Sequence, residues 1–229
     1  MNLPIRIVIA TRKTIDEYKR SDEYKVIAQF NKIHPINIRL FDKNSRGLSS
    51  VYNQSITEVK NLQCILIFMH DDVLITDMYW VERIIDGFKK FDILGVVGNK
   101  KPSQDQPSWV MINEVGELDN FENLSGAIGQ GDRFPPQKID IFGKPDQEVK
   151  QMDGCFLAVK SETLYKSGIR FDPTFKFHFY DMDFCRSADK AKLKMGTIPL
   201  SIIHKSYGVL NEDWKKNYLL YLKKWQIKN

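Results

Sequence analysis

The chain has 229 residues, enough for one α/β domain with a sizeable core, and 42% of them are hydrophobic and 28% charged. These proportions are ordinary for a soluble globular protein, and no apolar run approaches the length of a membrane span. The net charge of +5 is mild. It permits anionic ligands such as nucleotides, but it gives no reason to expect nucleic acid as a partner.

The cysteines and the first apolar run indicate the cellular compartment. Cys64, Cys155 and Cys185 are far apart, odd in number and set in apolar surroundings, which is typical of buried free thiols in a reducing compartment. Arg6 interrupts the first apolar run, so this run is a poor signal peptide. We therefore expect a cytoplasmic protein, either free or peripheral at the inner face of the membrane.

Strands and helices alternate along the first part of the chain. Short apolar runs predict strands, and stretches that mix apolar and charged residues predict surface helices. In chain order, these are a strand at 5–10, a helix at 15–32, a strand at 36–41, a helix at 49–59, a strand at 64–69, a helix at 79–91 and a strand at 93–98. This alternation predicts a mostly parallel sheet with helical crossovers.

The alternation stops after Gly98. Residues 99–150 are rich in Gly, Pro, Asn and Asp and have weak periodicity, which predicts a functional loop region or a small insertion. The later elements are a strand at 155–159, a helix at 161–168, an aromatic loop at 171–179, a helix at 180–193, a strand at 198–203 and a tail helix at 212–229. We therefore predict a single domain over residues 1–211 and a separate tail helix.

The most informative stretch runs from Cys64 to Val73. Six apolar residues, typical of a strand buried on both faces, end abruptly at His70, Asp71 and Asp72. Open α/β sheets place their sites at such strand ends, and residues two apart in an extended segment point the same way. His70 and Asp72 therefore face one side together and suit a divalent cation such as Mn²⁺ or Mg²⁺. The alternative is a capped turn that starts the next element.

Six segments, taken together and in this order, resemble the glycosyltransferase family 2 group, whose fold is GT-A. They are residues 7–12, 47–53, 70–73, 151–154, 177–185 and 203–204. The resemblance is closest to bacterial members in which a His-x-Asp-Val element replaces Asp-x-Asp. Two positions depart from the family pattern: Tyr180 stands where many members have Glu, and Arg186 lies one position earlier than the Arg of many relatives.

The resemblance implies a GT-A-like α/β fold with a mostly parallel sheet flanked by helices. Residues 1–98 would bind the nucleotide-sugar and the metal, and residues 99–211 would bind the acceptor and carry catalysis. The implied metal ligands are Asp72 first, His204 second and His70 third. The implied nucleotide-sugar ligands are Ala10, Thr11, Arg12, Asp42, Asn53 and Asp71. The implied acceptor ligands are Trp109, Asp153, Gly154 and His178.

Sugar transfer also needs a carboxylate that takes the proton of the acceptor hydroxyl. Asp181 and Asp183 are two apart on a predicted helix, so they point in different directions. Asp183 has Arg186 three residues further on, a spacing that suits a surface ion pair, and this leaves Asp181 as the predicted base. A helix N-terminus weakens a carboxylate as a base, but aromatic neighbours can offset this by desolvation.

Alternatives stay open at several of these positions. Asp181 can be a favourable first-turn residue of its helix, and His204 can be a core histidine at a strand end. Trp109 can be a stacking platform for a sugar or a packing residue. Asp42 can meet the nucleotide or form a turn.

The tail helix carries an aromatic face. The residues on this face are Trp214, Tyr218, Tyr221, Leu222 and Trp225, and lysines lie on the opposite face. Such a helix most often docks on its own domain. The alternatives are a homodimer contact and a peripheral membrane anchor.

The predicted activity is transfer of a sugar, with inversion, from a nucleotide-diphosphate sugar to a hydroxyl of a glycan or lipid-linked acceptor. A UDP-sugar is the favoured donor and a GDP-sugar the alternative, and the resemblance implies a role in bacterial surface polysaccharide assembly. A sugar nucleotidyltransferase would need a Gly-rich phosphate loop after the first strand, and residues 10–14 contain no glycine. The other alternative is a module that keeps the fold without catalysis and only binds a glycan or a partner. The presence of Asp72 and Asp181 disfavours it.

Overall fold

The computed structural model describes residues 3–206 and 208–227. Within these residues the α-helices are α1 Ile15–Lys19, α2 Asp22–Phe30, α3 Leu48–Glu58, α4 Trp80–Gly87, α5 Ser161–Ser167, α6 Tyr180–Lys190 and α7 Glu212–Lys224. The strands are β1 Ile5–Ala10, β2 Ile36–Phe41, β3 Ile65–Met69, β4 Val73–Ile75, β5 Ile93–Gly95, β6 Val97–Asn99, β7 Leu124–Gln130, β8 Lys138–Gly143, β9 Glu148–Val149, β10 Gln151–Met152, β11 Phe156–Lys160, β12 Met195–Thr197 and β13 Ile202–His204. A short 3-10 helix, Phe121–Asn123, precedes β7.

The strands form two sheets. The first has the order β2-β1-β3-β11-β5-β12-β9, in which the β1–β2, β1–β3 and β5–β12 pairs are parallel and the other pairs are antiparallel. The second has the order β10-β6-β7-β13-β4, with β8 also paired to β7, and only its β7–β13 pair is parallel among the described strands.

The α/β class is confirmed, but the prediction of a mostly parallel sheet is wrong. The β1, β2 and β3 strands run parallel because helices connect them in sequence. After β6 the chain builds part of the second sheet and returns to the first sheet beside the carboxyl end of β3, where Phe156 pairs with Met69. A strand that enters from that end must run antiparallel to β3.

Most of residues 99–150 are loops and turns, as the sequence predicts, but this region also contains three strands that its weak periodicity did not indicate. These strands are β7, β8 and β9, and β7 pairs with both β6 and β8. β7 lacks alternation because it carries Gly126 and Gly129 and buries the polar Ser125 and Gln130. Gly126 is required for a close approach, since its φ is +94° and a Cβ there would lie 2.0 Å from the Val96 carbonyl oxygen.

Two predicted elements are each divided in the structure. The helix at 15–32 is interrupted at Ser21, whose side chain accepts a hydrogen bond from the Tyr24 amide and starts α2 as a new helix. The strand at 93–98 becomes β5 and β6, which belong to different sheets. Val96, the buried residue between them, therefore marks the place where the chain passes from one sheet to the other.

The tail helix docks on its own domain. Asn211 caps α7 by accepting a hydrogen bond from the Trp214 amide, and the aromatic face is buried. The Phe179 ring stacks on Tyr218 with a centroid distance of 5.6 Å. Residues 228–229 of the predicted helix lie outside the described residues. No described helix has both the length and the apolar character that crossing a bilayer requires.

The core is continuous between the sheets and their covering helices. β3 is buried along its whole length, as the sequence predicts for a strand covered on both faces. The three cysteines are buried and free, which confirms that prediction.

Candidate active site

The short connection between β3 and β4 creates the polar cluster. β3 ends at Met69, and β4 starts at Val73, which pairs directly with His204 at the end of β13. The turn over residues 70–72 therefore lies beside the end of β13. This pairing places side chains from distant parts of the sequence at one edge.

His70, Asp72 and His204 form one cluster, which we call the His-Asp-His cluster. The His204 Nε2 atom lies 3.3 Å from Asp72 Oδ1 and 3.5 Å from His70 Nδ1. The Ser206 hydroxyl donates a hydrogen bond of 2.5 Å to Asp72 Oδ2. One ligand atom from each member of the cluster lies within 4.8 Å of the others.

The His-Asp-His cluster fits a single divalent cation. Two nitrogen or oxygen ligands at about 2.1 Å on opposite sides of an ion lie about 4.2 Å apart. Ligand atoms within 4.8 Å of one another need only small side-chain shifts to share one ion. Two imidazoles and one carboxylate are also a common donor set for such ions.

The two histidines differ in their ionisation. Burial lowers the pKa of His70, and the neighbouring His204 lowers it further, so His70 is neutral and has a free lone pair. Burial also acts against the charged form of His204, but the hydrogen bond to Asp72 and the negative charges of Asp153 and Asp72 together outweigh burial and raise the pKa of His204. For Asp72, burial is likewise outweighed by the combined effects of His204, the Ser206 hydrogen bond and His70, which lower the pKa of this carboxyl.

Tyr180 determines which nitrogen of His70 faces the cluster. Its hydroxyl donates to the Gly154 carbonyl oxygen at 2.8 Å and lies 2.7 Å from His70 Nε2. A hydroxyl has one hydrogen, so the second contact must run from the Nε2–H of His70 to the tyrosine oxygen. The lone pair of His70 is then on Nδ1, the atom that faces His204.

Gly154 allows this contact because any larger residue would collide with Tyr180. A Cβ atom on Gly154 would lie 2.1 Å from the tyrosine hydroxyl oxygen and 2.8 Å from the Asp181 Cβ atom. In the sequence, Tyr180 is distinguished only by its departure from the family pattern. Its position directly before Asp181 is the one signal that could have drawn attention to it.

Asp181 lies in the first turn of α6, next to Gly154. Its Oδ2 atom accepts from the Gly154 amide at 2.9 Å, and its Oδ1 atom accepts from the Met182 amide at 2.9 Å. Burial and the nearby Asp153 carboxylate raise the pKa of Asp181 to about 7. The carboxylate therefore combines a fixed position with a proton affinity suited to proton transfer at neutral pH.

Asp153 and Trp109 support this arrangement from behind. The Trp109 indole donates to Asp153 Oδ2 at 2.8 Å, and the Cys155 amide donates to Oδ1 at 2.7 Å. Trp109 is only 7% exposed and packs edge-on against Phe142. Of the two roles that the sequence left open for Trp109, packing is the one that fits its burial.

The carboxyl ends of β1, β2 and β3 bring together most of the predicted nucleotide-sugar ligands. Thr11 donates a hydrogen bond of 2.5 Å to Asp71 Oδ2, and its amide donates to the Phe41 carbonyl next to Asp42. Ala10 and Asp42 are partly buried, and the side chain of Arg12 is exposed at this edge. A ligand at this edge would contact the ends of all three strands.

Asn53 and Asp183 have different surroundings from those predicted. The amide oxygen and nitrogen of Asn53 both bond the backbone of Phe171, so this residue holds the aromatic loop, and its contact with a nucleotide-sugar stays a prediction. Asp183 is fully buried and contacts Lys224 at 2.6 Å, so the prediction of a surface ion pair with Arg186 is wrong.

Two further predicted residues have other neighbours. Arg186 donates to the Gln104 carbonyl oxygen, not to Asp183. His178 is partly buried, packs edge-on against Phe177, and has its pKa lowered by burial. It has no hydrogen bond to Asp153 or Asp181 among the described contacts, so its place near an acceptor stays a prediction.

The two-sheet architecture and the location of the cluster define the class of the fold as that of the GT-A glycosyltransferases. The crystal structure of GalNAc-T7 with UDP, GalNAc and Mn²⁺ matches with a TM-score of 0.53 and 11% identity, over 97% of this chain and 48% of that chain. The crystal structure of A197 from STIV matches with a TM-score of 0.51 and 13% identity, over 90% of this chain and 87% of that chain. At such identities the likeness shows the fold alone. This chain spans about half the length of the GalNAc-T7 chain.

The sequence itself gives the family. Residues 32–217 match the family described as "Glycosyltransferase like family", and the protein belongs to this family. No curated protein matches the chain significantly. The resemblance to glycosyltransferases is thus confirmed, while membership of the bacterial subgroup with a His-x-Asp-Val element stays a prediction.

Proposed function

We propose that this protein is a metal-dependent, inverting glycosyltransferase that moves a sugar from a nucleotide-diphosphate sugar to an acceptor hydroxyl. One observation carries the proposal: continuous hydrogen bonds connect the His-Asp-His cluster to Asp181. The connection runs from His70 to the Tyr180 hydroxyl, from there to the Gly154 carbonyl, and from the Gly154 amide to Asp181. A site for the leaving group and a site for the attacking group are therefore held in one rigid unit.

The donor would bind at the carboxyl ends of β1, β2 and β3. Thr11 and Asp71 are already joined there, and Ala10, Arg12 and Asp42 lie at the same edge. A UDP-sugar is the favoured donor. The GalNAc-T7 structure, which is similar in fold, contains UDP, and this supports the choice.

His70, Asp72 and His204 would hold the metal ion. When bound there, a divalent ion supplies Lewis-acid stabilisation of the negative charge on the departing diphosphate. Carboxylate ligands suit both Mn²⁺ and Mg²⁺, whereas imidazole suits transition metals, so this donor set favours Mn²⁺.

Asp181 would act as the general base. The acceptor oxygen forms a bond to the anomeric carbon while the bond from that carbon to the diphosphate oxygen breaks, and the hydroxyl proton goes to Asp181. A single displacement of this kind inverts the configuration at the anomeric carbon. The raised pKa of Asp181, about 7, makes the carboxylate a stronger base than an exposed aspartate.

The acceptor would be a glycan or a lipid-linked sugar in bacterial surface polysaccharide assembly. Asp153, Gly154 and His178 are the residues proposed to meet it. A cytoplasmic location, either free or peripheral at the membrane, belongs to the same proposal.

The proposal is tested by thermal stabilisation with UDP and Mn²⁺, followed by a screen of nucleotide-sugars for turnover. UDP with Mn²⁺ should raise the Tm of the intact protein more than either alone. Asp72→Ala should remove this metal-dependent gain, because the cluster loses its only carboxylate ligand. The exposed Asp86→Ala serves as a matched control and should behave as the intact protein. If Asp72→Ala binds UDP with unchanged metal dependence, the metal site is elsewhere.

A further inference from the structure

A pocket of about 360 Å³ lies between α6, the end of α7 and the segment that follows β6. It contains none of the residues assigned to the candidate active site. Arg186 and Asp189 of α6 line one side, Trp225 lines the end, and residues 101–104 and 150–151 complete the wall. A pocket of this volume can hold a monosaccharide.

Positive charge predominates in this pocket. Lys101, Lys150 and Arg186 line it against one carboxylate, that of Asp189. Lys150 pairs with Asp189 at 2.7 Å, whereas Lys101 forms no ion pair with any residue that the structure describes. A ligand with a negative charge would therefore find a cation that is free to bind it.

The guanidinium of Arg186 is held in place on the pocket wall. It packs over the rings of Tyr221 and Trp225, at 5.0 and 5.4 Å from the ring centroids, and donates to the Gln104 carbonyl oxygen at 2.6 Å. A guanidinium has five N–H donors, so several stay available to a ligand. Its fixed orientation lowers the entropy lost when it binds an anion.

Gln151 is the second and independent sign of a ligand. Its side chain is 2% exposed and lines the pocket, and its amide oxygen has no hydrogen-bond partner among the described residues. A buried amide without a partner is costly, and native proteins contain few of them. A ligand hydroxyl in the pocket would provide the missing hydrogen bond.

We propose that this pocket binds an acidic sugar, that is, a monosaccharide unit that carries a carboxylate or a phosphate. Lys101 and Arg186 bind the negative group. The Gln151 amide bonds a sugar hydroxyl, and Pro102 and the part of the Trp225 ring that Arg186 does not cover contact the ring carbons. Neither a neutral sugar nor a bare anion uses all of these groups.

The position of the pocket makes this sugar a part of the acceptor, a step that rests on the proposed function. α6 carries both Asp181 and Arg186, which are separated by about 7.5 Å along the helix axis. β10 carries Gln151, and Asp153 follows two residues later. Because five residues also rotate the side-chain direction by about 140° around the helix, the acidic unit would lie beyond the sugar unit whose hydroxyl faces Asp181 and not beside it.

Calorimetric titration of the intact protein tests the pocket with four probes: glucuronic acid, glucose 6-phosphate, glucose and inorganic phosphate. At least one of the two acidic sugars should bind about tenfold more tightly than glucose and phosphate, since a charge-assisted hydrogen bond is lost in one case and the sugar contacts in the other. The better acidic sugar identifies the anionic group as carboxylate or phosphate. The proposal is overturned if neither acidic sugar binds. It is also overturned if inorganic phosphate binds as tightly as the better acidic sugar.

Gln151→Met separates a binding role from a structural one. Replacing an unpaired buried amide with an apolar side chain of similar length should leave Tm unchanged or raise it. It should weaken acidic-sugar binding about fivefold or more, because a hydrogen bond is lost. Lys101→Ala should weaken binding too, whereas Lys190→Ala, an exposed lysine on α6 outside the pocket, should not. Normal binding by Gln151→Met overturns the proposal.

Binding of UDP with Mn²⁺ is measured in the same variants. This distinguishes failure of the acidic-sugar proposal from failure of the proposed function. Gln151→Met and Lys101→Ala should keep the stabilisation by UDP with Mn²⁺. A protein that binds UDP but no acidic sugar overturns this inference alone. A protein that binds acidic sugar but no nucleotide-sugar overturns the proposed function and the acceptor step with it.

Discussion

The Tyr180 hydroxyl joins the two chemical centres of the candidate site. It orients His70 by accepting from Nε2–H, and it donates to the carbonyl oxygen of Gly154, the residue whose amide donates to Asp181. Hydrogen-bond partners of this kind direct the lone pair of a metal-binding histidine. Tyr180 is thus a positioning residue, and its removal should affect metal binding although it is not a ligand.

Tyr180→Phe should lower the affinity for Mn²⁺ by about 10- to 100-fold, the usual effect of losing such a partner. The ring and its packing are retained, so Tm without metal should change little. Tyr165→Phe is the matched control, because it removes another tyrosine hydroxyl that bonds a backbone carbonyl, that of Ile56. Titration of Mn²⁺ in the presence of UDP measures the difference. Equal affinities in the two variants would show that His70 does not depend on Tyr180.

Asp181→Asn should reduce the transfer rate by about 10²- to 10⁴-fold, the usual worth of a general base. Binding of donor and metal should be nearly unchanged, because Asp181 serves the acceptor hydroxyl. Asp183→Asn is the comparison, since Asp183 is buried under α7 and faces away from this chemistry. One rate assay on both variants decides between them. A larger loss for Asp183→Asn would transfer the catalytic role to that residue.

The pKa of Asp181 also predicts a pH dependence. Because only the ionised carboxylate accepts a proton, kcat/KM should rise as pH increases through about 7 and then level off. The folded protein binds this proton more tightly than the unfolded chain, whose aspartates have a pKa of about 3.9. Asp181 therefore makes the free energy of unfolding fall as pH rises from about 4 to 7. Asp181→Asn should flatten this part of a Tm-against-pH curve, and an unchanged slope would contradict the raised pKa.

Local rules were sufficient to place some residues of the site. The end of the buried strand β3 correctly predicts that His70 and Asp72 lie at a site, but these residues meet His204 through the turn at 70–72 and not through the extended segment that the sequence predicts. Asn53 and Asp183 could not be placed in this way. Their partners, Phe171 and Lys224, lie far along the chain, and no local pattern shows which face of a helix another element will cover.

At the scale of elements, α7 fixes the position of α6. Lys224 contacts Asp183 of α6 at 2.6 Å and Asp172 of the aromatic loop at 2.7 Å, and the Trp225 indole also donates to Asp183. The tail helix therefore holds both the helix that carries Asp181 and the loop that leads into it. This arrangement replaces the expectation that Asp183 contributes only a weak surface pair.

Lys224→Met should lower the free energy of unfolding by on the order of 2–3 kcal/mol, because it leaves the Asp183 carboxylate buried without a cation. The loss stays below that of a fully buried pair because 34% of the Lys224 side chain is exposed. Lys216→Met, on the exposed face of the same helix, is the control. Urea unfolding measures both. Adding Asp183→Asn to Lys224→Met should recover part of the lost free energy of unfolding. Equal stability of Lys224→Met and Lys216→Met would show that the Lys224–Asp183 pair contributes nothing.

The strands of residues 99–150 show which elements a pattern cannot reveal. β9 contains only two residues, and β8 has no fully buried residue, so neither has a long apolar run. Their strand conformation depends on pairing: β8 pairs with β7 of the same region, and β9 pairs with β12, which comes from a later part of the chain. Composition described this region correctly as polar, but the pairing partners determined its structure.

At the scale of the whole molecule, the candidate site lies where the two sheets meet. His70 follows a strand of the first sheet, Asp72 precedes a strand of the second, and His204 ends another strand of the second. Both predicted halves, 1–98 and 99–211, therefore contribute to the His-Asp-His cluster. The division into a donor half and an acceptor half stays a prediction, but the metal cluster cannot belong to the first half alone.

Ending the chain at Asn211 tests whether the tail helix is part of the core. The truncation removes four buried side chains, those of Trp214, Tyr218, Tyr221 and Leu222. Burial of each such side chain contributes about 1.5–3 kcal/mol, and 1 kcal/mol shifts Tm by about 2–4 °C in a domain of this size. We therefore expect the truncated protein to aggregate or to melt at least about 10 °C below the full chain.

Point variants on the two faces of α7 decide whether a membrane or a second copy needs this helix. Trp214→Ala with Tyr218→Ala empties the buried face and should reproduce much of the loss in Tm. Leu219→Ser with Leu220→Ser changes the exposed face, where the side chains are 58% and 44% exposed, and should change the free energy of unfolding by less than about 0.5 kcal/mol per residue. If the truncated protein is soluble and as stable as the full chain, internal docking of α7 is contradicted. The aromatic face would then serve a homodimer contact or a membrane contact. Sedimentation with and without anionic vesicles then distinguishes those two roles.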